Sequence, residues 1–243
     1  MNIVIDQGNT ICKIAVFGEN DEPIEVFTTS TLTKSFLVGI LDQFKPKAGI
    51  ISSVIEVNHE INILLNERLS YFNRLSAATP LPINNLYKRP EKLGMDRLAA
   101  AVGAWSICPG KNLLVIDMGT AITYDLVGSD STYRGGNIAP GLKIRLKALH
   151  DFTGRLPEIE PKENFETFGN DTESAIRAGV MQGIIYEAEG YLREKKAEFP
   201  DLFAFLTGGD LIYFAEKLKN GIFVSRNLVL IGLNRILNNN VCK

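Results

Sequence analysis

The chain of 243 residues is 45% apolar and 22% charged, with a formal net charge of −2, the composition of a globular protein that can bury a sizeable core unaided. That balance gives it no general attraction for nucleic acid or for an anionic membrane. Cys12, Cys108 and Cys242 are odd in number and lack metal-ligand spacing, which argues for free thiols and against a zinc site, and two histidines, His59 and His150, leave a Ser-His-Asp mechanism few places to stand. No charged-then-apolar leader opens the chain and no run of 18 apolar residues occurs, so a cytoplasmic, membrane-free protein is expected.

Residues Asn2 to Thr10 read as a buried strand ending in Asp6-Gln7-Gly8-Asn9-Thr10, a tight glycine turn, and Ile11 to Phe17 form the returning strand. Pro23 to Thr28 offers a third strand. Thr33 can cap a helix in which Phe36, Leu37, Ile40, Leu41 and Phe44 follow helical spacing. Ala48 to Val54 is a buried strand whose end, Ser52-Ser53, is small and polar where an α/β sheet opens its ligand crevice. Val57 to Leu69 repeats the helical period, and Phe72 to Leu75 suits a short edge strand. Pro80, Pro82 and Pro90 mark Ala78 to Gly94 as a loop region. Met95 to Ile107 is an Ala-rich helix with Asp96 and Arg97 in its first turn, stopped by Cys108-Pro109-Gly110.

A second version of the opening motif then begins. Leu113 to Tyr124 runs Leu-Leu-Val-Ile-Asp-Met-Gly-Thr-Ala-Ile-Thr-Tyr, again a strand, Asp-x-Gly and a returning strand. Gly135 to Gly141 reads as a glycine-dense loop leading into a helix from Leu142 to about Asp151. Pro157 to Glu166 is an exposed acidic loop. The long helix from Thr172 to Glu198 carries a stripe of Ala175, Ile176, Gly179, Val180, Gly183, Ile184 and Ala188, which suits either a dimer seam or packing inside one subunit. Phe203 to Leu206 ends in Thr207-Gly208-Gly209-Asp210, with Asp210 a candidate cap for a short helix. Val229 to Leu237 is a closing apolar helix, and the Asn-rich tail is expected to be unordered.

The repeat predicts an α/β chain of two related halves, residues 1–110 and 111–243. A glycine at the tip of such a turn admits a ligand close to the backbone, its N–H groups form a concave site for phosphate, and the preceding carboxylate can hold a cation beside it. Two such turns can clamp a nucleotide.

In order along the chain, the motifs resemble those of the type III pantothenate kinases, within the superfamily of actin-like ATPases and sugar and acetate kinases. They are Asp6-Gln7-Gly8-Asn9-Thr10 with Lys13, Ser52-Ser53-Val54, Tyr87 with Gly94-Met95-Asp96-Arg97, Asp117-Met118-Gly119-Thr120-Ala121, Gly135-Gly136 to Pro140-Gly141, Gly169 to Gly179 including Thr172, and Thr207 to Asp210. Gln7 departs from the pattern, which has an apolar residue there.

The resemblance implies duplicated ribonuclease-H-like domains with the nucleotide site in the cleft between them, and ATP-dependent phosphorylation of pantothenate to 4'-phosphopantothenate, the first step of coenzyme A synthesis. It implies that Asp6, Gln7, Gly8, Asn9, Thr10, Ile11, Cys12 and Lys13 form the first ATP-binding segment and that Thr120 belongs to the second. Asp117 would bind the monovalent cation, K+ or NH4+, required along with Mg2+. Tyr87, Gly94, Met95, Asp96, Arg97 and Thr172 would contact pantothenate, with Asp96 the general base, and the protein would be a homodimer. From the residues alone, the favoured readings are Asp96 and Arg97 as a helix first-turn pair, Tyr87 as a packed loop aromatic and Thr172 as an N-cap. Other readings are a sugar or small-acid kinase of the same superfamily, or a non-catalytic accessory regulator related to it.

Overall fold

The computed structural model describes residues 1–19, 22–218 and 221–241; Cys242 lies outside them. The chain divides into two compact units, Met1–Pro109 with Ser131–Tyr133 and Asn227–Lys243, and Gly110–Asp130 with Arg134–Arg226.

In the first unit the elements are β1 (Asn2–Gln7), β2 (Cys12–Phe17), β3 (Pro23–Thr29), α1 (Lys34–Phe44), β4 (Ala48–Ser53), α2 (His59–Arg68), β5 (Tyr71–Arg74), a short β6 (Asn84–Asn85) and α3 (Met95–Ile107). The sheet order is β3-β2-β1-β4-β5. β1 is antiparallel to β2 and parallel to β4, which is parallel to β5. Ile3, Val4 and Ile5 are fully buried, because a central strand covered on both sides needs an unbroken apolar run. Ile3, Ile5, Ile14, Val16 and Ile51 pack with Leu37 and Leu41 of α1 and Ile61 and Leu65 of α2. Thr33 caps α1 as expected, its hydroxyl accepting from the Phe36 amide at 3.3 Å. β6, in a stretch expected to be loop, pairs with Thr132 and Tyr133.

The second unit holds β7 (Leu113–Met118), β8 (Ala121–Gly128), most of β9 (Thr132–Pro140), α4 (Leu142–Asp151), α5 (Thr172–Glu198), β10 (Phe203–Thr207), α6 (Leu211–Phe214) and β11 (Ile222–Val224). Its strands run β11-β10-β7-β8-β9. Counted from the first strand of each unit, both sheets have the order 3-2-1-4-5, with strand 1 antiparallel to 2 and parallel to 4. This is the duplicated ribonuclease-H-like α/β fold.

Three local expectations are corrected. Gly135 to Pro140 is not loop but the end of β9: Gly136 crosses so close to β8 that a Cβ there would stand 2.0 Å from the Tyr124 carbonyl oxygen. Asp210 sits at the N-cap of α6 without a side-chain cap bond. The α5 cap is Asp171, which accepts from the Ser174 amide at 2.7 Å in a capping box, so Thr172 is the first helical residue and is exposed. The α5 stripe separates into two faces. Ile176, Val180, Ile184 and Ala188 join the core of the second unit, while a Cβ at Gly179 or Gly183 would meet nothing within 4 Å.

The last helix, α7 (Leu228–Val241), read with the second half from sequence, clusters with the first unit. It continues through Asn238–Asn240, which the sequence reading left unordered. The Asn2 amide donates to Asn234 Oδ1 and Asn238 Oδ1, both at 2.8 Å, and the Asn240 amide donates to the Pro80 carbonyl at 2.9 Å. α7 crosses α3 backbone to backbone: a Cβ on Gly232 would lie 1.8 Å from the Ala99 oxygen, and one on Gly103 2.2 Å from the Leu228 oxygen.

Candidate active site

Strand alternation puts Asp6 on the face of the first sheet opposite the α1–α2 layer, at the carboxyl end of β1. Its in-register neighbours are Lys13 on β2 and Ser52 on β4. The turn that follows is tight, with the Gly8 amide donating to the Ile11 carbonyl at 3.1 Å and Asn9, Thr10 and Ile11 exposed. Gln7 points to the other face. It accepts from the Ser53 hydroxyl at 3.1 Å, and its carbonyl accepts from the Val54 amide at 3.1 Å, so a polar residue at this position stitches the ends of β1 and β4 together. Cys12 is buried in the α1–α2 core, and burial followed by the nearby Asp6 charge pushes its thiol up to about 12. Only its backbone is free to serve a ligand.

Asp96 stands in the first turn of α3 behind Gly94, which is the N-cap. Its Oδ1 accepts from the Arg97 amide at 2.8 Å, and a Cβ at Gly94 would come within 2.6 Å of the same oxygen, so the glycine makes room for the carboxylate. Asp96 is close enough to Asp6 to act on it. The Asp6 carboxyl is pushed up to about 6, first by burial and then by the Asp96 charge, against the opposing pull of Lys13. The Arg97 side chain is buried, with its guanidinium 6.0 Å from the centre of the Tyr87 ring, and Tyr87 is held by the Asn85 side chain at 2.9 Å and by the ring of Tyr133. Met95 is half-buried beside them. The first unit thus brings together Asp6, Lys13, Tyr87, Gly94, Met95, Asp96 and Arg97, which the sequence scatters over some ninety positions.

In the second unit Asp117 is the penultimate residue of β7, with Thr123 and Thr207 as in-register neighbours. Gly119 closes the turn by donating to the Ala121 carbonyl at 3.2 Å, and Thr120 is exposed. Two more glycine motifs converge on this turn. Gly141 donates to the Thr120 carbonyl at 3.1 Å, with room there for no side chain, and Gly208, at φ +104°, lies against the Met118 backbone. The Asp210 amide then bonds the Met118 carbonyl at 2.9 Å. Thr172 lies on the same unit, at the start of α5. Among the described residues no three carboxylate, histidine or cysteine groups cluster as a metal site, so a cation here would share its ligands with phosphate oxygens or water.

A family profile described as type III pantothenate kinase matches residues 2–194. A type III pantothenate kinase from Bacteroides fragilis is 48% identical over 240 residues, covering 99% of this chain and 98% of that one. The chain belongs to the type III pantothenate kinase family. Among solved structures, a protein from Campylobacter jejuni described as a Baf family transcriptional activator superposes with a TM-score of 0.62 at 23% identity, covering 99% of this chain and 100% of that one. A protein from Sinorhizobium meliloti described as a 2-dehydro-3-deoxygalactonokinase gives 0.59 at 12%, covering 98% and 99%. Both likenesses are of fold.

Within this family member, one cation near the second turn escaped the sequence reading. Lys143, in the first turn of α4, offsets the effect of burial on Asp210, whose carboxyl is raised overall. A lysine in a helix first turn, where the dipole favours an acid, two residues after Gly141, was the available signal.

Proposed function

We propose that this chain transfers the γ-phosphoryl group of ATP to the terminal hydroxyl of pantothenate, giving 4'-phosphopantothenate and ADP, the first step of coenzyme A synthesis. Full-length similarity to pantothenate kinases carries the reading. The grouping of Asp6, Lys13, Asp96, Tyr87 and Arg97 in one unit supports it.

In this reading the Asp6 to Lys13 segment and Thr120 bind the nucleotide. The exposed turn amides and the Lys13 ammonium suit phosphate oxygens. Bound Mg2+ supplies neutralisation of phosphate charge. Tyr87, Gly94, Met95, Arg97 and Thr172 hold pantothenate, and the Arg97 guanidinium suits its carboxylate. Asp96, its direction fixed by the Arg97 amide, accepts the hydroxyl proton as the hydroxyl oxygen bonds to phosphorus and the bond to ADP breaks. Asp117 and its threonine neighbours offer oxygen donors suited to a hard monovalent cation, K+ or NH4+.

The protein acts as a cytoplasmic homodimer. Support comes from the open glycine face of α5, where Gly179 and Gly183 are uncovered and Tyr186 is 58% exposed. No described helix is long and apolar enough to cross a membrane.

The test is ATP consumption with Mg2+ and K+ against a panel of pantothenate, sugars and small hydroxy acids. Turnover confined to pantothenate is expected. Turnover of a sugar alone would reassign the chain to another kinase of the fold.

A further inference from the structure

Four buried side-chain oxygens among the described residues have no hydrogen-bond partner: Ser52 Oγ, Thr123 Oγ1, Tyr124 Oη and Glu187 Oε1. Tyr124 and Glu187 lie against each other, which accounts for that pair. The remaining two are in-register neighbours of the two duplicated aspartates, Ser52 beside Asp6 and Thr123 beside Asp117. A buried hydroxyl without a partner is costly to a fold and is uncommon. Two of them, one beside each aspartate, call for a reason in function.

Ser52 is the sharper case, being 1% exposed. Bulk water does not reach it, and neither would a ligand that leaves the strands in place. Asp6 is its neighbour on the next strand and the same face, and adjacent strands lie about 4.8 Å apart, a gap that side-chain rotation can close to hydrogen-bond length. Asp6 is crowded by Asp96 on α3 and assisted by Lys13 on β2. An ionised carboxylate in that setting gains from a further donor.

We propose that Ser52 is a positioning residue of the kinase, whose hydroxyl donates to the Asp6 carboxylate when nucleotide and its magnesium occupy the Gly8–Ile11 turn. This rests on the reading of Asp6 to Lys13 as a phosphate site. It predicts effects of opposite sign on fold and on binding. Removing the hydroxyl takes away a group that contributes nothing to the nucleotide-free fold, and it also removes a donor that the loaded site uses.

The experiment compares the parent chain with Ser52→Ala, Ser52→Thr and Asp6→Asn, measuring thermal unfolding without nucleotide and Mg·ATP affinity by calorimetry without pantothenate. Ser52→Ala is expected to unfold at or above the parent midpoint and to bind Mg·ATP about tenfold or more weakly, the range for losing a hydrogen bond to a charged group. Ser52→Thr, which keeps the hydroxyl, should regain most of the affinity. Mg·ATP affinity of Ser52→Ala within twofold of the parent overturns the proposal. So does a Ser52→Ala chain that is destabilised or fails to fold, because the hydroxyl would then have a structural partner. Asp6→Asn separates the layers. Unchanged Mg·ATP binding in Asp6→Asn sinks the phosphate-site reading itself, whereas loss in Asp6→Asn with none in Ser52→Ala removes only the role of Ser52.

Discussion

Replacing Asp6 by asparagine should make the nucleotide-free protein more stable, and only at neutral pH. Burial and the Asp96 charge lift the Asp6 carboxyl from 3.8 to about 6 despite Lys13. The folded protein therefore binds the proton more tightly than the unfolded chain. Below about pH 3 the group is neutral in both states and adds no cost. As pH rises from about 4 through 6 the folded state is forced to ionise it, and stability is lost. At 1.36 kcal/mol per pH unit the penalty reaches about 3 kcal/mol, and partial solvent access at the strand end trims it to about 2. The asparagine side chain keeps the shape without the charge. Urea unfolding of both proteins at about pH 3 and about pH 7.5 gives the answer: the Asp6→Asn advantage should be near zero at the lower pH and about 2 kcal/mol at the higher. An equal difference at both values, or destabilisation at pH 7.5, would refute the electrostatic reasoning and leave Lys13 as a full partner that a neutral amide cannot keep.

Asp96→Asn should lower kcat by about 10²-fold or more with binding of ATP and pantothenate largely preserved, because the amide keeps the bond to the Arg97 amide but cannot accept the hydroxyl proton; near-normal kcat would leave Asp96 only its first-turn role. Asp117→Asn should weaken ATP binding and blunt activation by K+, read from activity as K+ is titrated against a choline background, and undiminished activation would put the cation elsewhere. Light scattering at micromolar concentration should give a dimer mass, and Gly183→Arg, which fills the open face of α5, should give a monomer. Gly232→Ala should cost several kcal/mol or prevent folding, since a methyl group 1.8 Å from the Ala99 oxygen forces two helices apart; an unfolding midpoint within a degree of the parent would contradict that crossing.

The strand, turn and helix plan was legible because each element carries its own period and punctuation. Examples are the apolar run of Ile3 to Ile5, the capping Thr33 and the Ala-rich Met95 to Ile107. What the sequence hid was contact at long range. Gly135 to Pro140 looks like loop because glycine is read as a turn former, yet Gly136 is there to let β9 approach the β8 backbone. The Asn238–Asn240 tail looks unstructured by composition, yet it continues α7, with side-chain bonds to Asn2, Pro80 and the Ile236 carbonyl that composition does not announce. Gly232 and Gly103 carry no local signal for the helix crossing they permit. Candidate site residues were read as motifs in isolation. That Asp96 reaches Asp6, and that Gly141 and Gly208 close on the Asp117 turn, depended on topology that no single motif contains.

The two aspartates, alike in sequence, differ in what the sheet sets beside them, and this bears on how they divide the work. Asp6 has a lysine in register on the antiparallel strand and a serine on the parallel one. The protein itself supplies a positive charge at that position, beside the exposed turn proposed to take phosphate. Asp117 has Thr123 and Thr207 in the corresponding places, both uncharged. A carboxylate next to a phosphate-binding turn repels the phosphate unless a positive charge intervenes. At Asp6 that charge is on Lys13. At Asp117 the two in-register neighbours are neutral oxygen donors, and the cation placed near that turn is Lys143, which acts on Asp210. In the proposed division of work, the monovalent cation belongs to the second turn, where Thr123 stands in the place that Lys13 takes beside the first.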